Sequence, residues 1–363
     1  MINIALEILN LLNDNGYKAY IIGGAVRDYI MNIESTDIDI TTNATPKQLA
    51  VIFKDNISYT DYGSVKIKYK NIKVEITTFR KEIKYLDNRH PEEIFYINSL
   101  EEDLKRRDIT INTICMDKNK NIIDLLNGRK EIRSKTIKIV GDSNQKLEND
   151  SLRILRCIRI ATKLNFKLDR NCVNAIKKNM HLLKKLSYER KKEELDKIFS
   201  SKNINYGIKL IKKLNLDKYL ELNNIKKVIP MNDLVGMWAQ FDVLDVYPLT
   251  KNISEQIQNL EKLKDKNLND PYIIYKYGSY LCSIAGKIKH MNINKIYSIF
   301  EKLPIYNRAD LEINGDDIIK ILDKEPDKWV NEVIKDVEKK IIYKELDNDY
   351  TKIKEYILNK YKN

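Results

Sequence analysis

Apolar side chains at Ile4, Leu6, Ile8, Leu9, Leu11 and Leu12 recur at near-helical spacing and stop before Gly16, so residues 3–15 predict a first helix. The period then changes. In AYIIGGAVRDYIM a short apolar run predicts a strand, the glycine pair a turn, and the rest the start of a second helix. Three more strands are expected: TDIDITT, SVKIKYKNIKVEITTF with its alternating apolar residues, and a weaker one near NIIDLL. Helices and hairpin-like strands intermixed predict an α+β domain with an antiparallel or mixed sheet, not a doubly wound parallel one. Beyond about residue 140 glycine becomes scarce, and long amphipathic runs such as DSLRILRCIRIATKLNF and NAIKKNMHLLKKLSYERKKEELDKIF predict an all-helical remainder. Pro230 and the stretch DKNLNDPY are the best candidates for joints between helical parts.

With 363 residues and 43% hydrophobic content the chain can form two to three domains with real cores. No stretch reaches the ~18 to 20 apolar residues of a membrane span, and Glu7 and Asp14 interrupt the N-terminal apolar pattern, unlike a secretory signal. A cytoplasmic protein without a membrane partner is expected. Cys115, Cys157, Cys172 and Cys282 form no CxxC pair and sit among apolar neighbours, which predicts buried thiols, and His90, His181 and His290 are too far apart in sequence to suggest a histidine-centred metal site. The net charge of +13 suits a polyanionic partner. Richness in Lys, Asn and Ile explains part of that excess as solvated helix faces, so charge alone leaves nucleic-acid binding open.

The chemistry concentrates early. Gly23, Gly24, Arg27 and Asp28 are followed by Asp37 and Asp39 on the next predicted strand. Side chains at i and i+2 of a strand share a face, so the two carboxylates point one way while Ile38 and Ile40 face the core, and two hard oxygen ligands can hold Mg²⁺. Glycines before a helix allow close approach of a phosphate, and Arg27 adds a charged fork. A glycine pair alone is usually a turn, and a DxD alone usually a solvated face; their order and spacing together are far more specific. Glu75, alternating with Val74 and Ile76, supplies a third carboxylate if its strand neighbours the aspartate strand, and is otherwise a surface glutamate.

These residues resemble the polymerase-beta-like nucleotidyltransferases, and the fuller run is similar to the class II tRNA nucleotidyltransferase and bacterial poly(A) polymerase family. The likeness runs through GGAVRD, DIDITTNATP, TTFRKEIKYLDNRHPEEI, SLEEDLKRRDITINTI, NDSLRILRCIRIATKLNF and SYERKKEELDKI, then LEINGDDI and PDKWV. It implies a head with a mixed five-stranded sheet (1–140), a helical neck that selects the base (141–200), and a helical body and tail that bind tRNA (201–363). It makes Asp37 and Asp39 catalytic ligands of two Mg²⁺ ions and Arg27 a nucleotide contact. It assigns Arg106, Arg107, Asp108 and Asn112 to triphosphate and ribose, where two adjacent guanidinium forks suit phosphate oxygens.

Asp150 and Arg153, at i and i+3, can read a base edge together. An acceptor and a donor so placed admit cytosine and adenine, each with an amino group beside a ring nitrogen, and reject uracil and guanine. The family usually has glutamate where this chain has Asn149, which puts the positioning of the helix start in question. Arg156 and Arg159 continue the basic stripe towards triphosphate or acceptor end; a helix with snorkelling arginines is the plain alternative. Arg80 to Glu93 resembles the flexible loop that family members use in passing from C to A addition, and members that add only CC lack it. Glu189, Arg190 and Glu194 match a further motif, read here as neck scaffolding, with core-helix salt links the simpler alternative.

The resemblance therefore implies template-independent addition of CCA to the tRNA 3′ end from CTP and ATP, with release of pyrophosphate. The acceptor and T arms of tRNA are the expected partners, and no obligate protein partner is evident. Poly(A) polymerase or A-only addition is the main alternative, and an RNA-binding module without catalysis a lesser one.

Overall fold

The computed structural model describes all residues except Thr36, 55–56, 60–62, 86–90 and Asn363. The chain divides into two compact units, one made chiefly of residues 1–226 and the other chiefly of 249–363, with residues 227–248 alternating between them. In chain order the first unit contains α1 (Ile2–Asp14), β1 (Ala19–Ile22), α2 (Gly24–Ile30), β2 (Asp39–Thr42), α3 (Pro46–Phe53), β3 (Ile57–Tyr59), β4 (Ser64–Tyr69), β5 (Ile72–Thr78), β6 (Arg80–Tyr85), β7 (Pro91–Tyr96), α4 (Leu100–Lys105), β8 (Cys115–Met116) and β9 (Ile122–Ile123). Then follow α5 (Gly128–Arg133), β10 (Thr136–Ile137), α6 (Ser143–Asn149), α7 (Leu152–Leu164), β11 (Lys167–Leu168), α8 (Arg170–Asn179), α9 (Tyr188–Phe199), α10 (Ile204–Lys213) and α11 (Asp217–Leu220).

The main sheet runs β3-β4-β5-β2-β1-β8-β9, antiparallel except where β2 lies parallel to β5. It is mixed as expected, but has seven strands rather than five. The short strand near NIIDLL is present as β9, while β3 and β8, of three and two residues, are too short to show a period in sequence. The first helix ends as its pattern requires: Ala5, Ile8, Leu9 and Leu12 are buried on one face and Gly16 follows at φ +85°. The β4–β5 hairpin turns on Lys70 and Asn71, both with positive φ, the backbone twist that a two-residue hairpin favours.

Two faces of the sheet have different fates. Ile21, Ile40, Ile76, Val74 and Ile67 point into the core with α1 and α3. Ile22 and Cys115 point the other way, where Leu104 of α4 covers part of the surface. Ile22 pairs with Asp39, and Asp39 with Glu75, so all three share that second face. A slip of one residue would bury the acids and expose the isoleucines, which is why the apolar alternation fixes this register.

The segment Arg80 to Glu93, expected as a flexible loop, has its described ends in an antiparallel hairpin of β6 and β7, with Arg80 opposite Tyr96. Its polar composition hid isoleucine and aromatic residues, which favour strands. Residues 86–90 of that segment lie outside the described residues. The predicted helical remainder holds apart from the small parallel pairing of β10 with β11.

The second unit contains α13 (Lys251–Lys262), α14 (Pro271–Ile288), α15 (Ile293–Glu301), α16 (Gly315–Leu322), α17 (Trp329–Ile342) and α18 (Tyr350–Tyr361), after α12 (Leu234–Trp238) in the alternating stretch. Pro230 falls in that stretch, whereas DKNLNDPY lies within the second unit, where Asp270 caps α14 and Pro271 opens it. All four cysteines are buried and free. Among the described residues no helix is long and apolar enough to cross a membrane.

Candidate active site

The site is built on the sheet face that carries Asp39. Gly23 closes β1 at φ +78° and ψ −138°, a conformation that side chains resist, and a Cβ added there would stand 3.2 Å from Asp39 Oδ2. The diglycine bend and the aspartate strand therefore meet. Asp37 lies just before β2, exposed like Asp39, while Ile38 and Ile40 are buried, so the two acids face the same way as expected. Glu75 is held alongside by strand pairing, and its N–H donates to the Ile38 carbonyl at 3.2 Å.

This crowding has an electrostatic mark. Desolvation by the surrounding protein, then Glu75 and Asp37, push the Asp39 carboxyl up to about 6 against the pull of Arg107 and Arg156. Like charges gathered on one open face are what a divalent cation relieves. Among the described residues no three or more acid, thiol or imidazole groups enclose a metal position. The acids fit an ion of the Mg²⁺ kind, which is held by one or two carboxylates and completes its shell with water and substrate phosphate. Replacing Gly23 by alanine should cost roughly 1–3 kcal/mol from the backbone alone and displace the Asp39 carboxylate. The midpoint of thermal unfolding should fall accordingly.

Opposite the acids stand the arginines after α4. Arg106 Nε donates to Asp103 Oδ1 at 2.8 Å and Arg107 donates to Asp103 Oδ2 at 3.2 Å, while Arg107 Nε is buried without a hydrogen-bond partner. Asp103 itself is fully buried; burial works to raise its pKa, but Arg106 and Arg107 outweigh it and hold the carboxyl below its ordinary value. Asp103 had not been singled out from the sequence. Its spacing of three and four residues from the arginine pair, on a helix, was the available signal.

Asp108 joins this turn to α7. It accepts from Arg153 Nε at 2.7 Å and pairs with Arg156 Nε at 2.9 Å. Burial raises its pKa, yet Arg156 and Arg153 prevail and keep it low. Arg153 is buried and also donates to the carbonyls of Lys146 and Arg106, and its Nε lies 3.6 Å from Asp150 Oδ2. Asp150 is not within α7; it ends α6, with Asn149 the last residue of that helix, and accepts from the Leu152 N–H at 3.0 Å. Desolvation pushes the Asp150 carboxyl up to about 6, with Arg153 opposing and Asp108 assisting.

The remaining residues are placed elsewhere. Arg27 is only 2% exposed and spends its donors inside the protein, Nε on Asp28 at 2.8 Å and another nitrogen on Asn112 Oδ1 at 2.7 Å. Arg159 pairs with buried Glu194 at 2.7 Å, which ties α7 to α9, whereas Arg190 pairs with Glu193 at 3.0 Å within α9 itself.

Three family models match the chain. "Poly A polymerase head domain" covers residues 19–138, "Probable RNA and SrmB- binding site of polymerase A" covers 165–225, and tRNA nucleotidyltransferase domain 2 covers 247–357. A CCA-adding enzyme of Staphylococcus haemolyticus is 33% identical over 96% of this chain and 95% of its own, and one of Ligilactobacillus salivarius is 32% identical over 95% and 93%. Among solved structures, the Bacillus stearothermophilus CCA-adding enzyme in complex with CTP superposes with a TM-score of 0.87 at 26% identity, covering 98% of this chain and 96% of its own.

Proposed function

The chain belongs to the family of CCA-adding enzymes, and from that premise we propose that it adds C, C and A to the 3′ end of tRNA from CTP and ATP, using the acidic face of β2 and β5. The observation that carries this reading is the placement of Asp39 against the Gly23 bend, beside Glu75 and within the field of Arg107.

Nucleotidyltransferases of this family use divalent metal ions; our reading is two Mg²⁺ ions held by Asp37 and Asp39. When bound, they supply a lowered pKa for the attacking 3′-hydroxyl and charge relief for the departing pyrophosphate. Asp37 and Asp39 orient the reacting groups on the open face, and Glu75 keeps the negative field concentrated there. Arg106 and Arg107 present guanidinium groups to the triphosphate, where charge-assisted hydrogen bonds are strongest. Arg27, buried on Asn112, positions that side chain rather than meeting the nucleotide itself. Asp150 accepts from the amino group of cytosine or adenine and Arg153 donates to the adjacent ring nitrogen, so protein side chains replace a template. Asp108 fixes Arg153 for that task. A head of 1–140, a neck of 141–200 and a tRNA-binding body and tail of 201–363 complete the reading; the match over 19–138 supports the head, and that over 165–225 crosses the boundary placed at 200.

The deciding experiment offers the purified protein a tRNA ending before CCA, with Mg²⁺ and with CTP, ATP or both. CCA ends formed only with both nucleotides are the expected result. Long A tails would instead favour poly(A) synthesis, and no product would leave an RNA-binding module.

A further inference from the structure

One fully buried carboxylate touches four groups that belong to different parts of the site. Asp103 Oδ1 accepts from Arg106 Nε at 2.8 Å and from the backbone N–H of Arg80 at 3.2 Å, the first residue of β6. Asp103 Oδ2 accepts from Arg107 at 3.2 Å and from Thr41 Oγ1 at 3.2 Å. Thr41 lies two residues beyond Asp39 on β2, so it stands on the same face of the sheet as the acid, and it is itself fully buried. Two lone pairs on each oxygen are thereby used, one towards an arginine and one towards the sheet or the hairpin.

The geometry points to Asp103 as a positioning residue that sets the distance between the acidic strand and the arginine pair, and that fastens the β6–β7 hairpin to both. This inference rests on the function proposed above and adds to it a residue with no contact to substrate. The physical reason is stiffness. A guanidinium on a long side chain is free to swing, and a single hydrogen bond leaves it a wide arc. Here each of two guanidinium groups is held at one edge by a carboxylate that is locked from behind by a strand hydroxyl and a backbone N–H. The other donors of each fork then keep a defined direction, and the entropy of ordering them is lost on folding instead of on nucleotide binding. Surface screening is no remedy for a loosened arginine here, since Arg106 and Arg107 are only 15% and 19% exposed.

An Asp103→Asn enzyme keeps the shape of the side chain but turns an N–H₂ towards donors. Its KM for both CTP and ATP should rise ~10- to 100-fold, the loss expected when charge-assisted hydrogen bonds are removed, while the KM for tRNA holds within about twofold. A merely structural defect would lower the active fraction, and hence kcat, without moving the nucleotide KM of the folded enzyme. Circular dichroism establishes folding. Where Asp103→Asn does not fold, Thr41→Val removes one hydroxyl only and should raise the nucleotide KM ~2- to 10-fold. In combination with Arg107→Ala, either change should add little further loss, because it acts through the arginines. An unchanged nucleotide KM in the folded variant, or full additivity with Arg107→Ala, overturns the inference. A wild-type protein that adds neither C nor A overturns the functional reading instead, so the two failures are distinguishable.

Discussion

Asp39→Ala is expected to lower nucleotide incorporation by ~1000-fold or more, while the dissociation constant for tRNA changes little. Metal-assisted stabilisation of a phosphoryl-transfer transition state amounts to several kcal/mol, each 1.36 kcal/mol being tenfold in rate. Asp39 stands between Gly23, Glu75 and the opposing arginines, which is why the proposed role falls to it first. The same substitution should not destabilise the fold, since it removes one member of a mutually repelling group and leaves no buried partner uncompensated. Single-turnover incorporation with labelled CTP, alongside filter binding of tRNA, tests both halves. Incorporation within tenfold of wild type would contradict the assignment of Asp39, whatever the melting temperature.

The second large effect concerns stability and base choice together. Asp108→Ala should cost about 1–3 kcal/mol of folding stability, because buried Arg153 loses its 2.7 Å partner and keeps only Asp150 at 3.6 Å and two backbone carbonyls. The lost contact to Arg156 adds little, since that side chain is 42% exposed and water screens it. Where the variant remains folded, Arg153 should swing towards Asp150 at 3.6 Å and no longer present a fixed donor. Discrimination against UTP and GTP should then weaken. Urea unfolding followed at equilibrium gives the first quantity, and sequencing of 3′ ends formed from each nucleotide gives the second. A stable variant with unaltered base choice would show that Arg153 needs no anchor.

The early motifs were legible because local rules produce them. GGAVRD and DIDITT each combine an apolar period with residues whose chemistry is rare at that spacing, and the structure brings Gly23 against Asp39 as those rules require. What sequence could not tell was the direction in which a charged side chain finds its partner. Arg27 read as a ligand contact, yet its guanidinium is enclosed by Asp28 and Asn112, eighty-five positions away in the latter case. Asp108 and Arg153 likewise read as two separate functional groups, and only folding shows them to be one ion pair. Asp103 passed unnoticed among the charges of LEEDLKRR because a buried and a solvated acid look alike on a helix of six residues. The β6–β7 hairpin was hidden for a similar reason, its backbone pairing being set by a neighbouring strand rather than by its own polarity.

Helix α7 carries Ile154, Leu155 and Ile158 in the core on one side and Arg153, Arg156 and Arg159 on the other, each arginine held by an acid from another element. Turning this helix, or sliding it, would pull three isoleucine and leucine side chains out of their close-packed bed before it moved Arg153, the residue proposed to read the base, by one position. Under the proposed function, the accuracy of nucleotide choice is bound to the same packing that keeps the protein solid. Warming should leave the frequency of wrongly added nucleotides flat until the molecule melts, because Arg153 rides on that packed helix.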